Sequence, residues 1–251
     1  MSAARYDSIG HRYVTTRRED PTLRDRILSA LGESRTVVNV GAGAGSYEPR
    51  DRHVLAIEPS DVMAAQRPDD LAPAIRGSAA PLPLRDESVD AAMAILTVHH
   101  WDDQLEAGVR ELRRVARGPV VIVTYDPAVS ATMWLLSDYL PEAAALDHAT
   151  FPTIDQLAGW LEGAVEVESV LTPRDTPAWP IGSFWAHPER VLDEAARNAT
   201  SAFARMDPAV VSRVVATVDR DLQDGSWDRR NGHLRDLPAF DVGMRLVVAQ
   251  R

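Results

Sequence analysis

Hydrophobic positions along the chain fall into two kinds of segment. Thr36–Val40, His53–Ile57, Val89–Ile95 and Pro119–Thr124 are short runs, apolar at nearly every position and rich in β-branched residues. Runs without period-two alternation predict strands buried on both faces, as in a parallel sheet. Ala74–Arg76 reads as a weaker strand of the same set. Between the runs, apolar residues recur at helical spacing. Leu23–Leu31 places them at 23, 27, 28 and 31, with Gly32 where a left-handed stop residue belongs. Ser60–Arg67 has room for one or two turns before the Pro68 break. In Gln104–Arg117, Leu105, Val109, Leu112 and Val115 form one stripe. Strand and helix alternate throughout this half, which predicts a parallel sheet with helices on both faces.

The second half breaks that alternation. Thr153-Ile-Asp-Gln156 is a capping box opening a helix to about Leu161. Ala164–Leu171 alternates as a strand with acidic residues on one side, and Met244–Ala249 reads as a terminal strand expected at the sheet edge. Pro188–Met206 and Pro208–Leu222 both have helical spacing. The expectation is a single domain, residues 1–251, with a loop and helical cap over 172–240 inserted between the last two strands.

Composition narrows the class little: 45% apolar and 25% charged residues are ordinary for a globular chain. The formal charge is −10, with seven histidines counted neutral. A field of that sign repels a phosphate backbone, so no nucleic-acid partner is expected. The pairs Arg17-Arg18, Arg113-Arg114 and Arg229-Arg230 read as solvated faces or helix C-terminal charges. Without cysteine there is neither a disulfide framework nor a thiolate metal site, and no metal is expected. The amino terminus lacks an apolar core of signal-peptide length, and the run Val89–His100 is too short to span a bilayer. A cytoplasmic protein without membrane partners is the expectation.

The chemistry concentrates after the first strand. Gly41-Ala-Gly43-Ala-Gly45 allows a tight turn, close backbone approach to a ligand, and N–H groups aimed at it. Seventeen residues past Gly41, ending the second strand, stands Glu58, placed to accept both hydroxyl hydrogens of a ribose. The spacing is GxGxG rather than the dinucleotide GxGxxG, and the lysine and hydroxyl residue of a P-loop are absent. A nucleoside without phosphates fits best, and S-adenosylmethionine is the commonest such cofactor.

VVNVGAGAGSY (37–47), VLAIEPSDVM (54–63), IRGSAAPLPLRDESVDAAMAILTVHHW (75–101) and ELRRVARGPVVIVTYDP (111–127) together resemble a class I S-adenosylmethionine-dependent methyltransferase of the small-molecule "type 11" kind. The resemblance covers about residues 5–127. It implies a Rossmann-like, doubly wound α/β fold: seven mostly parallel strands, the last antiparallel. It also implies roles. Asn39, Gly41, Ala42 and Gly43 would wrap the methionine and ribose parts of the cofactor, Glu58 the ribose hydroxyls, and Pro59, Ser60 and Met63 the adenine. Ser78 stands where the family commonly has an acid for the adenine amino group, with Ala79 beside it; Ala80 replaces a frequent glutamate. Leu96, Thr97 and Val98 would lie beside the sulfonium. The leader over residues 1–22 would fold across the cofactor, with Tyr13 and Arg17 or Arg18 reaching its carboxylate; arginine pairs bidentately with such groups. S-adenosyl-L-homocysteine would be the product.

His99 and His100 are candidates for deprotonating a nucleophile near neutral pH. Adjacent strand residues point to opposite faces, so at most one would face the pocket. Packing at a strand end is an equal alternative. Asp126, after Tyr125, is a candidate base or an N-cap before Pro127. Trp134, Tyr139, Phe151, Trp179, Phe184, Trp185 and Trp227 either line a lid over an apolar or aromatic small-molecule acceptor or pin the insertion to the body. The leading reading is methyl transfer to O, N or C of a small molecule. The competing readings are a cofactor-binding protein of the same fold without transfer, and an NAD-dependent oxidoreductase, which the GxGxG spacing disfavours.

Overall fold

A computed structural model of the chain describes residues 19–176 and 180–251. Helix α1 (Pro21–Leu31) starts on Asp20, whose carboxylate accepts the N–H groups of Thr22 and Leu23, and stops at Gly32 with φ +54°. It buries Leu23, Ile27 and Leu31, each worth about 1.5–3 kcal/mol of transfer free energy. Strands β1 (Thr36–Val40) and β2 (His53–Glu58) follow, then the one-turn α2 (Asp61–Ala64) and β3 (Ile75–Arg76). The next strand, β4 (Ala91–Ile95), leads through two 3-10 turns into α3 (Leu105–Val115) and β5 (Val120–Tyr125).

Beyond β5 the chain runs through α4 (Pro127–Ser130), a π-turn at Leu135–Tyr139, α5 (Pro141–Thr150) and α6 (Ile154–Leu161). The capping box of α6 is complete: Thr153 accepts from the Gln156 N–H, and the Gln156 side chain accepts from the Thr153 N–H. The edge strand β6 (Val165–Ser169) comes next, and β9 (Met244–Ala249) ends the chain's regular structure.

The main sheet has the order β3-β2-β1-β4-β5-β9-β6, parallel except for β9, which runs antiparallel to both its neighbours. This corrects one expectation. Met244–Ala249 does not lie at the edge; it is inserted between β5 and β6 and is buried along its whole length. Its nearly continuous apolar run requires cover on both faces and both sides. Val165–Ser169, with Glu166 and Glu168 exposed, takes the edge instead, where charge discourages further pairing.

One core packs α3 and α6 against Val38, Ala92, Val120, Ile122 and Val247; a second lies under α1 against Val37, Met93, Val121 and Leu246. At the sheet end remote from the glycine turn, Asp90 ties β4 to β1. Its carboxylate accepts the N–H groups of Arg35 and Thr36 and pairs with Arg117, which lowers its pKa to about 2.

Between β6 and β9 lie a two-stranded ribbon, β7 (Thr172–Pro173) with β8 (Ala239–Phe240), and a group of helices. Pro188–Met206 is not one helix but three pieces: a 3-10 turn, α7 (Glu194–Asn198) and α8 (Ser201–Ala204). Asp193 and Thr200 each accept backbone N–H bonds ahead of them and restart the helix, a competition that periodicity alone does not register. The long α9 (Pro208–Gln223) and α10 (Ser226–Asn231) complete the group.

A third core holds these helices to the body. Trp134, Tyr139, Phe184, Trp185 and Trp227 are all buried in it, Trp134 edge-on to both Tyr139 and Trp227. These aromatics pin the insertion. The Tyr139 hydroxyl donates to Asp221, which Arg230 also contacts; burial, with the Asp221 bond, pushes the Tyr139 pKa up to about 12. Among the described residues no helix is long and apolar enough to cross a membrane.

Candidate active site

The carboxyl ends of β1, β2 and β4 open on one cavity of about 970 Å³. That is where an open α/β sheet binds ligands. The glycine turn forms its floor. Gly41 has φ +71°, and a Cβ there would stand 2.0 Å from Thr97 Oγ1, so β1 and β4 come together only over a residue without a side chain. The N–H groups of Gly41 and Ala42 both donate to the Ile57 carbonyl, holding the turn against β2.

Glu58 ends β2 almost fully buried on the cavity wall. Its two oxygens accept the N–H groups of Gly43, at 2.7 Å, and Ser60, at 2.8 Å. A carboxylate at this position is the acceptor type that ligand hydroxyls require. Ser60 caps α2 through a bond from the Met63 N–H, and Pro59, Ser60 and Met63 form one side of the cavity. Asn39 donates to Glu48 at 2.9 Å, while its Oδ1 is buried on the cavity wall with no partner among the described residues. Ser78 and Ala79 line the opposite side, Ser78 donating to the Ala80 carbonyl.

Under the turn lies a buried pair that sequence reading missed. Arg67 contacts both oxygens of Glu48, at 2.7 and 3.1 Å, and also donates to the carbonyls of Gly43 and Ala72. Its side chain and that of Glu48 are 4% and 0% exposed. The glycine turn is thus braced from below through Asn39, Glu48 and Arg67. The preceding segment braces it from the other side: Tyr47 donates its N–H to Glu19, and its hydroxyl accepts from the Asp20 N–H. Glu19 and Asp20 are therefore part of the cavity wall.

Strand β4 ends abruptly. Leu96 has φ +54°, and Val98–His100 is a 3-10 turn rather than a strand end. Three of the described non-glycine residues with positive φ, Tyr47, Leu96 and Asp102, line this cavity, and such strain gathers at functional sites. Leu96 and Thr97 face the cavity as expected, but Val98 turns into the core against α3. His100 faces the large cavity with Asp102, Asp103 and Gln104, a group missed in the sequence because a short turn carries it.

His99 lies beside His100, the ring centroids 3.8 Å apart and the planes tilted by 48°. It stacks on Phe151 with ring centroids 4.1 Å apart and lines a second, small cavity of about 60 Å³. The two histidines thus line different cavities although their rings touch, and a turn rather than strand alternation places them. Asp126 lines neither cavity; it caps α4, accepting the Ala128 N–H at 3.0 Å. Tyr13, Arg17, Arg18 and Trp179 lie outside the described residues. Among those described, no cluster of histidine and acid is placed to hold a metal ion.

Residues 38–123 match the family model of a methyltransferase domain. No curated protein matches the chain. Among solved structures it is similar to a putative methyltransferase from an antibiotic biosynthesis pathway of Anabaena variabilis. Identity there is 29% over 93% of this chain and 98% of that one, with a TM-score of 0.83. The fold is also that of Haemonchus contortus phosphoethanolamine N-methyltransferase 2, solved with S-adenosyl-L-methionine, at 15% identity, 92% and 53% coverage and a TM-score of 0.54. A [4+2]-cyclase, SpnF, has it too, at 16% identity, 98% and 93% coverage and a TM-score of 0.55.

Proposed function

We propose that this chain, a class I S-adenosylmethionine-dependent methyltransferase, methylates an O, N or C nucleophile of a small molecule held between the sheet and the inserted helices. The supporting observation is the joint placement of Gly41, Glu58 and Asn39 on one cavity. The turn admits no side chain at Gly41, a carboxylate stands at the neighbouring strand end, and a buried amide oxygen lacks a partner among the described residues.

The residues suit the cofactor part by part. Asn39 Oδ1 would accept from its amino group, and the backbone of Gly41, Ala42 and Gly43 would follow its chain. Glu58 would take the ribose hydroxyls; Pro59, Ser60, Met63, Ser78 and Ala79 would enclose the adenine, leaving Leu96 and Thr97 near the reacting end. Bound there, the cofactor supplies an electrophilic methyl group, so the protein's share is positioning and the exclusion of water.

Val170, Leu171 and Met244 give the cavity an apolar wall on the side of the inserted segment, suited to excluding water. His100 is the histidine placed to take a proton from an acceptor hydroxyl or amine in the large cavity. The segment 172–240 acts as the cap and residues 1–22 as the lid over the cofactor.

Two experiments test this. Calorimetric titration should detect binding of S-adenosylhomocysteine and none of NAD; binding of NAD alone overturns the proposal. Incubation of cell extract with labelled S-adenosylmethionine should yield a labelled small molecule. Tight cofactor binding with no labelled product would favour a non-transferring role, such as the fold serves in the cyclase.

A further inference from the structure

The small cavity shares two walls, Leu96 and Pro180, with the large one. Leu96 is the strained residue at the end of β4, so the two chambers lie on either side of this strand end. At about 60 Å³ the small chamber holds several times the 10–15 Å³ that one water needs, yet far less than a whole ligand. Its size suits a short polar end group rather than a whole ligand.

Its chemistry is set by Asp147, which α5 places on its wall, partly buried. The charges acting on this carboxylate, Arg205 and His148, do so at a distance, and no hydrogen bond contributes. Burial outweighs both and pushes its pKa up to about 6. A carboxylate partly removed from water without a hydrogen-bonded partner is costly unless a ligand supplies the counter-charge. Phe151, Tyr125 and His99 stand around the same space as an aromatic wall, Phe151 edge-on to Tyr125 at 6.1 Å. The phenylalanine and tyrosine rings among them favour a cation. Arg205 lines the chamber too, with a further interaction of its own.

We infer that the small cavity is a headgroup subsite for an acceptor bearing an alkylammonium group, with Asp147 as its counter-ion. The inference rests on the reading that the acceptor lies in the large cavity beside the cofactor. The subsite recognises an amine end of the acceptor; it does not require the amine to be the atom methylated.

Saturation-transfer NMR on the full chain with S-adenosylhomocysteine tests this with three probes of one length: n-butylamine, n-butanol and butyrate. Butylamine should bind at least tenfold more tightly than the alcohol, and butyrate more weakly than either. That preference should vanish in Asp147→Asn, whose affinity for S-adenosylhomocysteine should be unchanged by calorimetry. The wild type alone provides a second arm. The ionised fraction of a carboxyl titrating at about 6 rises about tenfold from pH 5 to pH 7, and the butylamine affinity should rise with it. His99, Tyr125 and Arg205 are the other titratable groups lining the chamber, and His148 is the neighbouring charge on α5. The pH arm is therefore read together with Asp147→Asn.

Butanol or butyrate binding as tightly as butylamine, or an undiminished preference in Asp147→Asn, overturns the inference and leaves the cofactor reading intact. Failure of S-adenosylhomocysteine to bind overturns the cofactor reading, and this inference with it.

Discussion

Gly41→Ala is the sharpest perturbation of the glycine turn, because two separable costs meet at one atom. The first is conformational: at φ +71° an L-residue pays about 1–2 kcal/mol. The second is steric, since the new Cβ would sit 2.0 Å from Thr97 Oγ1 and 2.9 Å from both Thr97 Cβ and Cγ2. Forcing a methyl group into packing of this kind costs about 1–3 kcal/mol. The expected loss is therefore about 2–5 kcal/mol, a large share of the ~5–15 kcal/mol that stabilises an ordinary domain. Urea unfolding should show a lower midpoint at unchanged slope. The affinity for S-adenosylhomocysteine should fall by more than tenfold, because relief of the clash moves the turn. Thr97→Gly separates the costs: the double variant should recover the steric part as a coupling of about 1–3 kcal/mol, leaving the backbone part. A Gly41→Ala protein within about 0.5 kcal/mol of wild type, or a cycle without coupling, would refute the reasoning.

Asp147→Asn should change stability with pH in a definite sense. The folded carboxyl titrates near 6 against 3.8 in the unfolded chain, so its stabilisation is present below about pH 4 and lost as pH rises through 6. Unfolding midpoints should be alike at pH 4, with the variant more stable by about 2–3 kcal/mol at pH 8; equal midpoints at both would contradict this. Glu58→Gln removes a charged acceptor from the cofactor cavity and should weaken S-adenosylhomocysteine binding about ten- to hundredfold by calorimetry. Glu48→Gln leaves Arg67 buried without its counter-charge and should destabilise by about 3–5 kcal/mol in urea, whereas Glu48→Leu with Arg67→Met should cost much less. Substituting Arg17 or Arg18 should lower cofactor affinity several-fold; unchanged affinity in both removes that role from the leader.

The site was legible wherever its demands are local. A turn that brings backbone close to its neighbours writes its glycines in succession, and a carboxylate ending the next strand stands at a readable spacing, so the candidates Gly41, Gly43 and Glu58, which line one cavity, are readable from the sequence. Capping announces itself similarly, in Thr153 with Gln156. Asp90 was visible only as a break in an apolar run, although its carboxylate joins β4 to β1. Glu48 and Arg67 were silent because they are far apart in sequence and look like surface charges until packing removes them from water.

The amino-acid sequence by itself determined the alternation of buried strands and helices, the glycine turn and the cofactor class, since each depends on residues within one turn or one strand. Only the tertiary structure decided the rest. It set β9 inside the sheet, because a strand's neighbours depend on which edges remain to be covered. It turned Trp134, Trp185 and Trp227 inward as pins, because an inserted segment this size needs a core of its own. It also set His99 and His100 on the walls of different chambers and brought Asp147, about fifty residues further along the chain, to the same small cavity as His99. Such juxtapositions arise from packing over long sequence separations, and no local pattern encodes them.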